Sequence, residues 1–246
     1  MKCYRCGTWD GQKCDCKDGQ TIFHGDCREL LPTLDGVSLV ITSPPYNLGG
    51  SRGTQFSRLK TGYKSYRDNL TDEDYIAWQQ GMLRDCWGAL LDNGAIFYNH
   101  KFIAKGNVGR NPTQLVPPDI PIRQVIIWDR GSGFQRTLWH FVPRTEWIIL
   151  MAKEGYRLST LIEWDLWHEP ATSDTHPASF PLAIPTRAIQ ASGNDGPVLD
   201  PFLGSGTTLV ACKDLGRQGI GIELEEQYCE IAANRLRQEV LAFSSA

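Results

Sequence analysis

Short apolar runs alternate with amphipathic stretches from Thr21 onward. Thr21–His24 and Val37–Thr42 are predicted strands, and the stretch Cys27–Leu34 between them is a predicted short helix. Val37–Thr42 is mostly apolar, as expected for a strand that is buried in a sheet. An α/β alternation therefore begins near the start of the chain.

A longer helix is predicted after a polar segment. Thr71 is followed three residues later by Asp74, which resembles a capping box and indicates that a helix begins here. Apolar residues then recur near one face as far as about Leu91: Tyr75, Ile76, Met82, Leu83, Cys86 and Leu90. Asp92-Asn93-Gly94 is predicted to end this helix as a turn, with Ala95–Asn99 as the next strand.

The second half of the chain continues the alternation. Predicted strands are Val125–Trp128, Trp147–Met151, Val198–Leu199 and Gly219–Ile222, and predicted helices are Thr207–Leu215 and Glu225–Ala242. Strands that alternate with helices favour an α/β fold with a mostly parallel sheet and helices on both faces. Two segments without clear periodicity, 48–70 and 101–121, are predicted to be loops inserted into a domain that spans residues 20–246. Residues 1–19, rich in Cys, Lys and Asp, are predicted to form a small appendage.

Composition places the chain in an ordinary class. Of its 246 residues, 41% are hydrophobic and 22% are charged, which is typical of a soluble globular protein. No apolar run reaches about 18 residues, so we expect no membrane span. The first residues lack the apolar core of a secretory signal, and we expect a cytoplasmic protein.

The distribution of charge changes this picture more than the net charge of −3 does. Residues 48–70 carry five basic residues against one aspartate, a balance of +4, and residues 101–136 carry six against two aspartates, again +4. Ordinary solvated loops could have this composition. Because both stretches flank the candidate catalytic motif described below, contact with nucleic-acid phosphates is the favoured interpretation.

Two motifs that follow predicted strands carry the candidate chemistry. Thr42-Ser43-Pro44-Pro45-Tyr46-Asn47 follows the second strand, and Asp200-Pro201-Phe202-Leu203-Gly204-Ser205-Gly206-Thr207-Thr208 lies near the end of the chain. Glycines between a strand and a helix allow a ligand close to the backbone. No lysine precedes Thr207, which excludes a phosphate-binding P-loop, and the glycine spacing excludes an NAD-type loop.

Together these motifs resemble the catalytic and S-adenosylmethionine (SAM) motifs of DNA amino methyltransferases. The catalytic motif comes first and the cofactor motif last, which is the circularly permuted order of the family's beta group. The resemblance covers roughly residues 20–240. It implies a Rossmann-like, SAM-dependent methyltransferase fold and site-specific methylation of an exocyclic amino group in DNA.

The resemblance also implies a set of cofactor-binding residues. Glu223, at the end of a strand, would bind the ribose, and Asp26 would contact the adenine amino group. His176 and Phe180 match the family's remaining cofactor motif. The other members of the set cluster around the amino-acid end of SAM: Thr42, Asp200, Pro201, Phe202, Gly204, Ser205, Gly206, Thr207 and Thr208.

The catalytic motif Ser43-Pro44-Pro45-Tyr46 fits the chemistry of a poor nucleophile. The lone pair of a base amino group is delocalised into the ring, and hydrogen-bond acceptors pull the nitrogen towards a tetrahedral geometry. Ser43 and the Pro44 carbonyl are the expected acceptors, and the Pro-Pro step stiffens them. Tyr46 is expected to stack on a base flipped out of the duplex.

The identity of the base stays open between two candidates. In the family that the motifs resemble, serine at the position of Ser43 usually accompanies cytosine N4 methylation, and adenine N6 is the alternative. An RNA or protein amine methyltransferase, or a non-enzymatic DNA-binding module, are further alternatives. The expected partner is double-stranded DNA, with a homodimer as an additional expectation. The expected DNA contacts are Asn47, Arg52, Arg58, Lys60, Lys64, Arg67, Arg130 and Arg136.

The N-terminal cysteines form a separate pattern. Cys3-x-x-Cys6 and Cys14-x-Cys16 place four thiols within 14 residues, with glycines that permit the tight turns of a tetrahedral zinc site. Reduced or redox-sensitive thiols are the alternative. The remaining cysteines fall in predicted helices and are expected to be core residues: Cys27, Cys86, Cys212 and Cys229.

Overall fold

The computed structural model describes residues 2–8, 16–48, 69–105, 108–133, 138, 140–159, 164–170 and 180–238. Its strands are β1 (Gln20–His24), β2 (Val37–Thr42), β3 (Leu90–His100), β4 (Ile103–Lys105), β5 (Val108–Arg110), β6 (Ile122–Asp129), β7 (Thr145–Ala152), β8 (Leu166–His168), β9 (Val198–Asp200) and β10 (Gly219–Glu223). Its helices are α1 (Cys27–Leu30), α2 (Asp72–Ala89), α3 (Ala183–Ala191), α4 (Thr207–Asp214) and α5 (Glu226–Arg237), with 3-10 turns at Leu31–Thr33 and Pro112–Leu115.

Eight of these strands form one sheet in the order β1-β10-β9-β2-β3-β7-β6-β8. The pairings are parallel except for those of β7, which runs antiparallel to both β3 and β6. The predicted mostly parallel sheet is therefore confirmed. The motif order is also explained, because β9 from late in the chain lies beside β2 from its beginning.

Helices cover both faces of the sheet, as predicted. Alternate side chains of β2 and β3 point to opposite faces, so that Val40 and Ile96 pack with α2 while Leu39 and Phe97 pack with α3 and α4. A third cluster joins Ile22 of β1 to α5. The sheet is thus buried on both sides, which explains the mostly apolar sequence of β2.

The predicted turn at Asp92-Asn93-Gly94 is wrong in part. Helix α2 ends at Ala89, and β3 begins at once at Leu90 and runs through these residues. The register against β2 shifts between the pairs Val37–Leu90 and Leu39–Ala95, so the polar residues form an irregularity within a strand. Backbone hydrogen bonds to Lys153 and Gly155 hold it there.

The segment 101–121 is more ordered than a loop. Strands β4 and β5 form a hairpin, and Leu115, Val116 and Ile120 are buried in the cluster that contains α2. The sequence patterns also missed β8 and α3. Helix α5 lies where it is predicted, but it ends at Arg237, with Gln238 in an extended conformation, and does not continue unbroken to Ala242; residues 239–242 lie outside the described residues.

The N-terminal segment lies along β1, the edge strand of the sheet. The Tyr4 amide donates to the Ile22 carbonyl at 2.7 Å, and Arg5 pairs with Asp18 at 2.7 and 2.8 Å. Across the described part of the chain, every helix is too short or too polar to cross a membrane.

Candidate active site

Four predicted site residues lie at the carboxyl ends of four strands of the sheet. Asp26 follows β1, Ser43 follows β2, and Asp200 and Glu223 end β9 and β10. These strands are parallel neighbours, so their carboxyl ends converge at the place where open α/β sheets bind ligands.

Asp200 is the buried centre of the predicted cofactor motif. Thr208 Oγ1 donates to its Oδ2 at 2.6 Å, and the Phe202 amide donates to its Oδ1 at 3.1 Å. Thr42 Oγ1 donates to the same Oδ1 at 3.0 Å. Burial raises the pKa of Asp200 to about 6. The Thr42 contact joins the strand that carries the catalytic motif directly to the strand that carries the cofactor motif.

The glycine loop between β9 and α4 is closely packed. Gly204 and Gly206 both adopt left-handed backbone conformations, with φ of 53° and 89°. A Cβ atom on Gly206 would lie 2.8 Å from the Cβ of Ala232 in α5. Arg235 of α5 donates to the Ser205 carbonyl at 2.8 Å and to Thr207 Oγ1 at 3.2 Å. Pro201, next to Asp200, is buried with this loop.

Glu223 also faces this loop. Its carboxylate accepts the amides of Gly204 and Glu225, each at 2.8 Å, and burial raises its pKa. Two buried carboxylates, those of Asp200 and Glu223, therefore lie beside a loop of closely approaching backbone. These two acceptors fit a ligand that carries positive charge and ribose hydroxyls.

The remaining predicted cofactor residues have different environments. Asp26 caps α1 by accepting the Arg28 amide at 2.9 Å, and the ion pair with Arg28 lowers its pKa. Phe180 is buried in the core cluster that contains α3, and His176 lies outside the described residues. The Phe202 ring packs edge-on against Trp78 at 5.6 Å.

Ser43 and Tyr46 belong to one hydrogen-bonded network. Tyr46 Oη donates to Glu146 Oε2 at 2.9 Å and lies 2.9 Å from Ser43 Oγ. Asn99 Nδ2 lies 2.8 Å from Tyr46 Oη and 3.3 Å from Ser43 Oγ. Arg130 pairs with the other oxygen of Glu146 at 3.1 Å.

The protons of this network can be assigned from its donors. Burial, and then the nearby Glu146, raise the pKa of Tyr46 well above its usual value, so the hydroxyl keeps its proton. Tyr46 donates that single proton to Glu146, and Ser43 must therefore be the donor in the Ser43–Tyr46 bond. Asn99 Nδ2 has two protons for three acceptors, Tyr46 at 2.8 Å, Glu146 at 2.9 Å and Ser43 at 3.3 Å. Ser43 Oγ therefore accepts at most one bond from Asn99 and keeps at least one lone pair.

A second polar chain supports the Pro-Pro step from the side of α2. Tyr75 Oη donates to the Pro45 carbonyl at 2.7 Å, lies 2.8 Å from His100 Nε2 and accepts Gln79 at 2.9 Å. Burial lowers the pKa of His100 to about 4, so its ring is neutral at neutral pH. The His100 and Tyr46 ring centres are 4.5 Å apart.

The burial of Asn47 argues against its predicted DNA contact. Asn47 has a φ of 54°, is 1% exposed, and bonds both the amide and the carbonyl of Leu70 at 2.8 and 2.9 Å. Its side chain therefore joins Asn47 to Leu70, 23 positions later in the chain.

Arg130 is occupied by Glu146 and by the face of Trp128. In the same basic stretch, Arg110 pairs with Asp72, and Arg123 donates to the carbonyls of Tyr156 and Lys153. Some of the basic side chains of residues 101–136 are therefore already bonded to other groups of the protein. The other predicted DNA contacts lie outside the described residues: Arg52, Arg58, Lys60, Lys64, Arg67 and Arg136.

The N-terminal thiols lie together. The Sγ atoms of Cys3, Cys6 and Cys16 are all within 4.8 Å of one another, whereas Cys14 lies outside the described residues. The prediction that the other cysteines are core residues is confirmed, since all four are buried: Cys27, Cys86, Cys212 and Cys229.

Several residues of the site were not assigned from the sequence. Asn99, His100 and Tyr75 carry no motif, and Arg235 lies in an ordinary amphipathic helix. Glu146 lies outside the predicted motifs, near the start of β7. Its contact with Tyr46 depends on the antiparallel pairing of β7 with β3.

The sheet order, the glycine loop and the two buried carboxylates define a SAM-dependent methyltransferase of Rossmann-like fold. The model of the DNA methylase family N6_N4_Mtase matches residues 37–234, and the chain belongs to this family. It is a DNA amino methyltransferase whose methyl donor is SAM.

Individual relatives support the assignment. The type II methyltransferase M.ScaI of Streptomyces caespitosus is 28% identical over 89% of this chain and 81% of its own length. M.HpaI of Haemophilus parainfluenzae is 28% identical over 92% and 77%.

Solved structures share the fold. The cytosine-N4-specific PvuII DNA methyltransferase superimposes with a TM-score of 0.70 at 18% identity, covering 91% of this chain and 88% of that one. A DNA modification methylase of Thermus thermophilus, in complex with S-adenosyl-L-methionine, superimposes with a TM-score of 0.67 at 23% identity, covering 90% and 95%.

Proposed function

We propose that this chain methylates the exocyclic N4 of a cytosine flipped out of double-stranded DNA, with Ser43 as the key hydrogen-bond acceptor. The observation that carries the proposal is the lone pair that Ser43 Oγ retains next to Thr42, whose hydroxyl bonds Asp200 at 3.0 Å. The proposed acceptor and the proposed cofactor-binding residue Asp200 are thereby held on adjacent strands. A reaction between two bound groups gains rate mainly from such positioning.

Ser43 is suited to accept a hydrogen bond from an amino group because its own proton is committed to Tyr46. The Pro44 carbonyl supplies the second acceptor of the proposal. Two acceptors on one NH₂ group draw the nitrogen out of conjugation and direct its lone pair away from the ring. The Pro45 carbonyl is held by Tyr75, which fixes the loop that presents Pro44.

Asp200, Glu223 and the glycine loop form the proposed cofactor-binding site. When bound, SAM supplies an electrophilic methyl group on its sulfonium sulfur. Asp200 would face the charged amino-acid end, Glu223 the ribose hydroxyls and Asp26 the adenine. Gly206 lets this loop pack closely on α5, because a Cβ there would lie 2.8 Å from the Cβ of Ala232.

Tyr46 is proposed to stack on the flipped base. Its ring is anchored at the hydroxyl by Glu146 and Asn99, so little conformational entropy is lost when a base arrives. Stacking contributes about 1–3 kcal/mol per base, which is comparable with the cost of flipping. Segment 48–70 and a homodimer remain predicted contributors to DNA contact and sequence recognition.

Nucleoside mass spectrometry of mixed-sequence duplex DNA incubated with the protein and SAM tests the proposal. N4-methylcytosine is the expected product. N6-methyladenine would keep the fold and the acceptor mechanism and overturn the base. An absence of methylated nucleosides, with SAM bound normally in calorimetry, would contradict the DNA substrate.

Ser43→Ala tests the acceptor role. Turnover should fall on the order of 10²-fold, as when one hydrogen bond to a transition state is removed in other enzymes, while SAM affinity stays unchanged. Ser38→Ala is the matched control, because it removes a hydroxyl that bonds Pro197 at the opposite end of the same strand. Ser38→Ala should cost about 1 kcal/mol of stability and little turnover. Equal loss of turnover in both variants would refute the role of Ser43.

A further inference from the structure

We infer that the N-terminal segment binds one structural zinc ion through the thiolates of Cys3, Cys6 and Cys16. The inference is independent of methyl transfer, because the N-terminal segment lies along the outer edge of β1, the edge strand of the sheet.

The spacing of the sulfur atoms carries the inference. The Sγ atoms of Cys3 and Cys16 are 3.8 Å apart. A tetrahedral zinc ion with Zn–S bonds of about 2.3 Å places its sulfur ligands about 3.8 Å apart. A disulfide would require a sulfur–sulfur distance of about 2.0 Å. The third sulfur, of Cys6, lies within 4.8 Å of both others, so one ion can reach all three after a small adjustment.

The backbone around Cys3 and Cys6 forms a tight turn that directs both thiols to one side. The Gly7 amide donates to the Cys3 carbonyl at 2.8 Å, and the Cys3 amide donates to the Thr8 carbonyl at 3.3 Å. Gly7 has a φ of 79°, which side chains other than glycine rarely adopt. Cys-x-x-Cys followed by glycine in such a turn is a suitable half of a zinc site.

The position of the site explains what an ion would stabilise. Cys3 and Cys6 flank Tyr4, whose amide pairs with β1, and Cys16 precedes the same strand. Arg5 donates hydrogen bonds to both Asp18 and the Gln20 carbonyl, and these bonds also hold the N-terminal segment against β1. An ion shared by Cys3 and Cys16 would therefore tie the residues that pair with β1 through Tyr4 to the residues that precede this edge strand.

Metal analysis of the full chain, purified without chelator, tests the inference. About one zinc per chain is expected, because a structural site of this kind is occupied whenever the protein is folded. Cys3→Ser and Cys16→Ser should lower the content to below about a tenth of an equivalent. Cys86→Ala is the matched control, since it removes a buried thiol of α2 and should leave the zinc content unchanged.

Cobalt substitution keeps the test informative if the serine variants fold poorly. The wild-type protein loaded with Co²⁺ should show thiolate-to-metal charge transfer and the intense visible bands of tetrahedral cobalt. Cys6→Ser should weaken the charge-transfer band, and an unchanged band would overturn Cys6 as a ligand. A metal-free wild type without the cobalt spectrum, or a Cys3–Cys16 disulfide found by mass spectrometry, would overturn the site itself.

Discussion

Gly206→Ala is expected to lower the free energy of unfolding by about 2–5 kcal/mol. Two costs add. A non-glycine residue in the left-handed region costs about 1–2 kcal/mol, and Gly206 has a φ of 89°. The new Cβ would also lie 2.8 Å from Ala232 Cβ and 3.1 Å from Ala232 Cα, and overpacking of this kind costs about 1–3 kcal/mol.

Gly216→Ala separates the two costs. Gly216 follows α4 with a φ of 65°, but an added Cβ there meets nothing within 4 Å. This control should lose only the conformational part, about 1–2 kcal/mol. The difference between the two variants is therefore the clash with Ala232 alone.

Urea unfolding followed by circular dichroism measures both losses, because ligand-free protein suffices. The double variant Gly206→Ala/Ala232→Gly should recover part of the clash, although Ala232 Cα remains 3.1 Å from the new atom. Equal losses in Gly206→Ala and Gly216→Ala, or no coupling in the double variant, would refute the packing argument.

Two other perturbations address the electrostatics and the supporting contacts of the site. Tyr75→Phe removes the hydroxyl that bonds the Pro45 carbonyl and should lower kcat several-fold without altering SAM affinity in calorimetry; an unchanged kcat would exclude a positioning role. Burial raises the pKa of Asp200 to about 6 in the folded protein, against an ordinary value of 3.8. The free energy of unfolding therefore falls as the pH rises from about 4 to about 6, by about 3 kcal/mol at most. The difference in unfolding free energy between wild type and Asp200→Asn should change in that window, and a constant difference from pH 4 to pH 7 would disprove the burial effect.

The sequence predicted the parts of the fold that are local. Val37–Thr42 and the strand–glycine loop–helix unit around Gly206 follow from periodicity and from residues adjacent in the chain, and both were located correctly. The turn signal at Asp92-Asn93-Gly94 failed because pairing with residues near Lys153 holds these residues in a strand. Short elements such as β8 carry too few residues for any period to show.

The residues of the site also fall into those that a local sequence motif predicts and those that it does not. Asp200, Gly204 and Ser43 could be found because each sits in a contiguous motif. Asn99 reaches Tyr46 through the pairing of β3 with β2, and Glu146 reaches it through the register of β7 on β3, in which Asn99 pairs with Ile148. A register between distant strands depends on the packing of the whole sheet, and no local pattern specifies it.

The bond between Thr42 and Asp200 spans 158 positions of sequence. During translation at about 5–20 residues per second, about 8–32 s separate the two residues as they leave the ribosome. Until β9 emerges, β2 has an open edge that can pair with other chains. The nascent protein therefore passes through a period in which β2, a strand whose residues are all buried in the folded protein, is at risk of aggregation, and a chaperone that shields β2 would raise the yield of active enzyme.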